Sequence, residues 1–105
     1  MNYKLYQIRR ELLNTNSYVF MGWSFAKNEG FSIKDYQIVY EGEVESGRWI
    51  EDTLENIWTK FNIDRPEDFK GWSMSVSDII QIGGEYYYTD GCGFKNITYE
   101  VLKQL

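Results

Sequence analysis

An apolar run, a pair of glycines and a second β-rich run constrain the fold of this chain more than any other feature. The apolar run contains Ile79, Ile80 and Ile82, the pair is Gly83-Gly84, and the second run covers residues 85–89. Two such runs separated by two glycines are typical of a β-hairpin, because glycine readily adopts the backbone angles of a tight turn. A turn at residues 90–93 before residues 94–97 extends the prediction to an antiparallel meander.

Two further segments have the pattern of strands. Residues 3–8 and residues 36–44 are rich in β-branched and aromatic side chains with partial alternation. In the second segment, the alternation predicts Tyr36, Ile38 and Tyr40 on one face and Val39 on the other.

The clearest helix is predicted over residues 52–62. Its apolar residues fall at the helical spacing i, i+3, i+4 and i+7; they are Leu54, Ile57, Trp58 and Phe61. Asp52 is expected to cap the first turn, and Glu55 stands three residues later as in a capping box. This stripe should face the core.

Shorter helical segments are predicted at residues 23–28, ended by Gly30, and as a single turn at residues 64–68. Residues 99–105 fit either a strand or a short docking helix. The expected fold class is therefore α+β, an antiparallel sheet of about four to six strands packed against one main helix plus one or two short helices. The 105 residues suffice for one domain.

The composition argues against most kinds of catalytic or nucleic-acid site. The chain has no histidine, one cysteine and a net charge of −5. Without an imidazole, the common catalytic relays and histidine metal sites are absent, so we expect no enzyme, no cofactor and no metal. Negative charge repels phosphate, so we expect no direct nucleic-acid binding. Neither a signal peptide nor a membrane span is evident, which predicts no membrane association and a cytoplasmic location.

One stretch of the chain is strongly acidic. Between residues 35 and 55 there are seven acids and one base, Arg48. We predict that Glu41, Glu43, Glu45, Glu51 and Asp52 of this stretch contact a partner, because they could meet a Lys/Arg groove and compete with phosphate. The alternative is that these acids have only local roles. Acids on a solvated strand edge discourage edge pairing, and acids at the start of a helix interact favourably with its dipole.

Three consecutive tyrosines form a second candidate surface. Tyr86, Tyr87 and Tyr88 must alternate on a strand, so one face is expected in the core and the other is a candidate interface anchor. The nearby segment from Ser73 to Asp78 reads as a turn, with Asp78 holding backbone N–H groups. Sequence alone does not exclude a carboxylate pair of Asp78 with Glu85 or Asp90.

Several stretches resemble the YodL-like domain family. They are LYQIRREL, YVFMGW, YQIVYEG, TLENIWTKFNIDRPEDFKG, WSMSVSDIIQI and YYYTDGCGF, and together they cover nearly the whole chain. The resemblance implies one YodL-like domain over residues 1–105 and a context among bacterial and mobile-element accessory proteins. It assigns no catalytic residues.

These observations together predict a protein-binding module of a mobile genetic element. The expected function is that of a counter-defence inhibitor, anti-CRISPR or anti-restriction, which blocks a CRISPR effector or restriction nuclease by occupying its surface. The alternative is a regulatory interaction module that acts on a host cytoskeletal or conjugation protein.

Overall fold

The fold is built on one sheet of five strands. A computed structural model describes all residues from Met1 to Leu105. The strands are β1 (Asn2–Ile8), β2 (Tyr36–Glu43), β3 (Ile79–Ile82), β4 (Glu85–Asp90) and β5 (Gly93–Asn96). The α-helices are α1 (Trp23–Ala26), α2 (Ile50–Ile63) and α3 (Thr98–Leu102), and two 3₁₀ turns cover Arg10–Leu12 and Ile33–Asp35.

The strand order places the N-terminal strand β1 in the interior of the sheet, between β2 and β3. The order is β2-β1-β3-β4-β5, and every neighbouring pair is antiparallel. β3, β4 and β5 form the predicted meander, and β1 joins it by pairing with β3. The predicted fold class is confirmed, and β2 and β5 are the edge strands.

Both faces of the sheet are buried. On one face, α2 covers a cluster of nine buried residues: Tyr3, Leu5, Val39, Leu54, Ile57, Phe61, Met74, Ile80 and Ile82. On the other face, α1, α3 and the loops cover eleven: Ile8, Tyr18, Trp23, Ala26, Phe31, Tyr36, Ile79, Tyr86, Tyr88, Ile97 and Val101. Neighbouring residues of β1, β2 and β3 therefore enter two separate cores, as the pleat of a strand requires, whereas β5 has no buried residue.

A β-bulge in β2 overturns one prediction from the alternation pattern. Leu5 pairs with Tyr40 while Tyr6 pairs with Ile38, so Val39 is an extra residue in β2. Beyond a bulge the side chains change face. Val39 and Tyr40 consequently both pack on the α2 side, whereas Ile38 is 45% exposed. The prediction that Tyr36, Ile38 and Tyr40 share one face was wrong.

The start of α2 also differs from the prediction. The helix begins at Ile50 with Trp49 at the N-cap position, so Asp52 lies inside the first turn. Its Oδ2 accepts a hydrogen bond from the backbone N–H of Trp49 at 3.2 Å. Asp52 therefore performs the acidic half of a capping box, the role that the sequence suggested for Glu55. The apolar stripe is confirmed, since Leu54, Ile57 and Phe61 are buried.

The structure confirms only some of the predictions for the shorter segments. α1 is shorter than predicted, and Gly30 follows it with a φ of 76°, an angle that glycine adopts without strain. The single helical turn predicted at residues 64–68 is absent. A turn replaces it, closed by a hydrogen bond from Phe69 N–H to the carbonyl of Pro66 at 3.1 Å. The C-terminal segment forms the helix α3 rather than a strand.

Replacing Phe61 by alanine should destabilise the domain strongly. Its ring is 0% exposed and packs against Tyr3, Tyr40 and Phe69. Removing a buried aromatic ring typically costs about 3–5 kcal/mol, because the cavity closes only in part. We expect Phe61→Ala to lower the free energy of unfolding by that amount in urea titrations.

The matched control is Ile63→Ala, two residues further along the same helix. Ile63 is 81% exposed, so its replacement should change the free energy of unfolding by no more than about 0.5 kcal/mol. Equal losses for the two variants would show that the ring of Phe61 is not part of the core.

Candidate functional site

Most of the predicted acidic residues lie at one end of the sheet. β2 ends at Glu43 beside Asn2 of β1, and β4 begins at Glu85. The hydrogen bonds between Met1 and Val44 hold the chain at this end before it enters α2. We define the acidic end as Glu41, Glu43, Glu45, Glu51, Asp52 and Glu85. The first five are exposed.

Few positive charges balance the acidic end. Glu41 is paired with Lys4, but the distance is 3.9 Å and both side chains are largely in solvent. The Met1 ammonium donates to the carbonyl of Val44, and Arg48 lies over the ring of Trp49. The only other ion pair of the structure joins Lys103 to Glu100 of α3. The acidic end therefore keeps a negative potential.

Some of these acids have the local roles, at a strand edge or a helix start, that the sequence analysis gave as the alternative to partner binding. β2 is an edge strand, and Glu41 and Glu43 project from it on the face opposite to α2, next to Lys4 and Asn2. Asp52 holds the first turn of α2. Glu51 lies in the same first turn, where a negative charge interacts favourably with the helix dipole. Glu45 makes no ion pair, so local structure gives no account of it.

The three tyrosines of β4 are placed very differently. Tyr88 is completely buried and donates a hydrogen bond to the carbonyl of Met21 at 2.6 Å, and Tyr86 is 9% exposed. Both belong to the core on the α1 side, so neither ring can contact a partner in this conformation. Tyr87 is half-buried on the α2 side. Burial raises the pKa of Tyr87, and the charges of Glu85 and Glu51 raise it further.

The structure also contains a groove that the sequence analysis did not predict. This hairpin groove runs between α2 and the β4–β5 hairpin, and its volume is about 290 Å³. Its eight lining residues are Glu55, Trp58, Val76, Thr89, Asp90, Gly91, Gly93 and Phe94. The spacing of Glu51, Glu55 and Trp58 puts them along one side of the helix, but their position over β4 and β5 depends on how α2 crosses the sheet.

A row of buried polar side chains lies beneath the segment from Trp72 to Ser77. Gln7 donates to Asp78 Oδ2 at 2.9 Å and to the carbonyl of Trp72 at 2.9 Å. The backbone N–H of Ser75 also donates to Asp78 Oδ2 at 2.9 Å, which is the backbone-holding role predicted for Asp78. Asp78 Oδ1 and the hydroxyl of Thr89 are buried without a hydrogen-bond partner.

The same segment stores backbone strain. Ser77 and Phe20 have φ angles of 85° and 66°, in the left-handed region that non-glycine residues seldom occupy. A hydrogen bond of 2.9 Å from the Phe20 N–H to Ser77 Oγ joins the two residues. Ser77 is fully buried, and its carbonyl accepts a hydrogen bond from the hydroxyl of Tyr36 at 2.7 Å. The packing around Ser77 therefore holds this unusual conformation.

The structure contains no cluster of metal-binding side chains and no membrane-spanning helix. No three His, Cys, Asp or Glu side chains come together in an arrangement that could hold a metal ion. None of the helices combines the length and the apolar character needed to cross a membrane.

The buried carboxyl of Asp78 should make the stability of the domain depend on pH. Burial raises the pKa of Asp78 to about 8, and the hydrogen bonds from Gln7 and Ser75 offset only part of this. Between the unfolded pKa of 3.8 and about 8, the folded state holds a proton that the unfolded state has released. The free energy of unfolding should therefore fall as the pH rises through this window, by about 1.4 kcal/mol for every pKa unit of separation.

Asp78→Asn should remove this pH dependence. The amide is uncharged and keeps an oxygen that can accept from Gln7 and Ser75, so the variant should exceed the wild type in stability at pH 9. Urea titrations at several pH values measure the effect, and exposed Asp64→Asn serves as the control that should retain the wild-type slope. A wild-type stability that rises between pH 5 and pH 8, with an unchanged slope in Asp78→Asn, would contradict the assignment.

Comparison with known proteins identifies the family. The family model of the YodL-like domain matches residues 2–99. The chain is 34% identical to the uncharacterized protein R785 of Acanthamoeba polyphaga mimivirus, in an alignment that covers 70% of this chain and 80% of the viral protein. No solved structure matches the chain. With the family match spanning the sheet, α2 and both candidate surfaces, the chain belongs to the YodL-like domain family.

Proposed function

We propose that this YodL-like domain is a non-catalytic module that binds a basic surface of a partner protein through its acidic end. The observation that carries the proposal is the group of exposed carboxylates at one end of the sheet, of which only Glu41 has an ion-pair partner, at 3.9 Å. A group of charges of one sign attracts an oppositely charged surface and raises the rate of association.

The proposed partner class is a nuclease of a host defence system. Such enzymes carry Lys/Arg grooves that track the phosphate backbone of nucleic acid. Glu41 and Glu43 project from the same face of β2 and lie two residues apart, a spacing of about 7 Å along a strand. A row of carboxylates can occupy a groove of this kind and exclude the nucleic acid. The domain would then act as a counter-defence inhibitor, anti-CRISPR or anti-restriction, encoded by a mobile genetic element.

Inhibition of purified nucleases tests the proposal. Cleavage of DNA by a panel of CRISPR effectors and restriction enzymes is measured with increasing amounts of the domain. Direct binding is followed by fluorescence anisotropy with a dye on Cys92, which is exposed in the β4–β5 turn, at the opposite end of the sheet from Glu43. Both signals should weaken as salt is raised, because salt screens exposed charges.

Charge-neutralising variants identify the surface. Glu41→Gln, Glu43→Gln and Glu45→Gln, combined in one protein, should weaken inhibition and binding at least tenfold. The matched control combines Glu11→Gln, Glu29→Gln and Glu67→Gln, three exposed residues outside the acidic end, and makes the same change in net charge. It should change affinity less than twofold.

Two results would count against the proposal. If both triple variants weaken binding equally, overall charge rather than the acidic end is responsible. If no nuclease of the panel binds or is inhibited, the proposed partner class is wrong. Capture of a cytoskeletal or conjugation protein by the wild type, lost in the Glu41, Glu43 and Glu45 variant, would then favour the regulatory alternative.

A further inference from the structure

The hairpin groove has features of a binding site that the acidic end lacks. It is a concave space between α2 and the β4–β5 hairpin, at the end of the sheet away from Glu43. Its volume of about 290 Å³ lies just below the range of roughly 300–1,000 Å³ that small-molecule sites commonly have. A space of this size suits one large side chain better than a cofactor.

The charge of the groove is negative and unpaired. Glu55 of α2 lies on its wall, is exposed and makes no ion pair, and no Lys or Arg lines the groove. Asp90, the last residue of β4, also lines the groove, but its carboxylate is directed toward the opposite face of the sheet. Its Oδ1 accepts from the N–H of Gly91 at 2.8 Å and lies 2.6 Å from the position that a side chain on Gly22 would take. Glu55 is therefore the carboxylate that a ligand in the groove would meet.

The hydroxyl of Thr89 is an independent sign of a missing partner. Thr89 is 2% exposed, lines the groove, and its Oγ1 has no hydrogen-bond partner. Its neighbours on β4, Tyr88 and Asp90, point to the opposite face of the sheet, which leaves Thr89 directed toward α2. Buried hydroxyl groups are nearly always hydrogen-bonded, so an unpartnered one at the floor of a groove indicates a group that a ligand can satisfy.

Aromatic rings complete the groove. Trp58 of α2 and Phe94 of β5 are both half-buried and lie on its sides. The face of an aromatic ring attracts a cation, and the planar guanidinium of arginine stacks on such rings better than the compact ammonium of lysine. Arginine also has five N–H donors, enough to serve the carboxylate of Glu55 and the oxygen of Thr89 together.

We infer that the hairpin groove binds the guanidinium group of an arginine side chain presented by a partner protein. Glu55 supplies the counter-charge, Thr89 accepts a hydrogen bond, and Trp58 and Phe94 stack on or flank the group. The inference adds a specific pocket to the proposed binding of a basic protein, but it concerns a different surface, so it can be tested without knowledge of that protein.

The probe is N-acetyl-arginine-N-methylamide, titrated into ¹⁵N-labelled protein and followed by NMR. It should bind in the millimolar range and shift the Trp58 indole resonance and the backbone amides of Thr89, Gly91 and Gly93. The matched probe, N-acetyl-citrulline-N-methylamide, has nearly the same shape without the charge, and it should shift the same resonances at least fivefold more weakly. The lysine analogue should also be weaker than arginine.

Two variants separate the contributions of the groove. Glu55→Gln should weaken arginine binding at least fivefold, whereas exposed Glu29→Gln should leave it unchanged. Thr89→Val removes the hydroxyl at nearly constant volume. It should weaken binding at least threefold while the melting temperature stays the same or rises, since no hydrogen bond is lost in the free protein.

Three outcomes would overturn the inference. These are the absence of shifts in the groove over the millimolar range, equal binding of arginine and citrulline, and unchanged binding in Glu55→Gln. The variant with Glu41, Glu43 and Glu45 changed to Gln should bind the arginine probe as the wild type does. If the nuclease assays fail, arginine binding in the hairpin groove is unaffected as a conclusion. If the arginine probe does not bind, the proposal for the acidic end is likewise unaffected.

Discussion

The position of β1 at the interior of the sheet is the constraint on which the rest of the structure depends. β1 pairs with β2 on one side and with β3 on the other, so it joins the N-terminal segment to a hairpin more than 70 residues later in the chain. Its side chains alternate between two cores, with Leu5 under α2 and Ile8 under the α1 side. Because both faces are covered at the centre of the sheet, functional contacts are left to its edges and ends and to the side of α2.

Local patterns in the sequence were sufficient to predict the strands and the main helix. The Gly83-Gly84 break and the spacing of Leu54, Ile57 and Phe61 depend on interactions between near neighbours, and these elements appear where expected. The bulge at Val39 could not be predicted, because it is defined by the register between two strands that are far apart in sequence. The same limit explains the mistaken face of Tyr40, since one extra residue reverses every side chain beyond it.

The candidate sites also divide into features set by local sequence and features set by contacts between distant segments. Five of the acids could be selected from the sequence because they are dense in one stretch, but Glu85 joins them only through the strand order. Of the three tyrosines, burial leaves only Tyr87 near the surface, and the alternation rule alone could not say which face was open. The hairpin groove was not predictable at all, because Glu55 and Thr89 are 34 positions apart and meet only through the crossing of α2 over β4.

The bulge and the acids of β2 have a consequence for how copies of this domain behave toward one another. An exposed edge strand offers unpaired backbone N–H and C=O groups to any strand that approaches it, which is a common origin of aggregation. In β2 the extra residue at Val39 interrupts the regular ladder, and Glu41 and Glu43 would oppose their own charges on a second molecule. The edge that bears the carboxylates of the proposed interface thus also has two features that disfavour pairing with the edge of a second sheet.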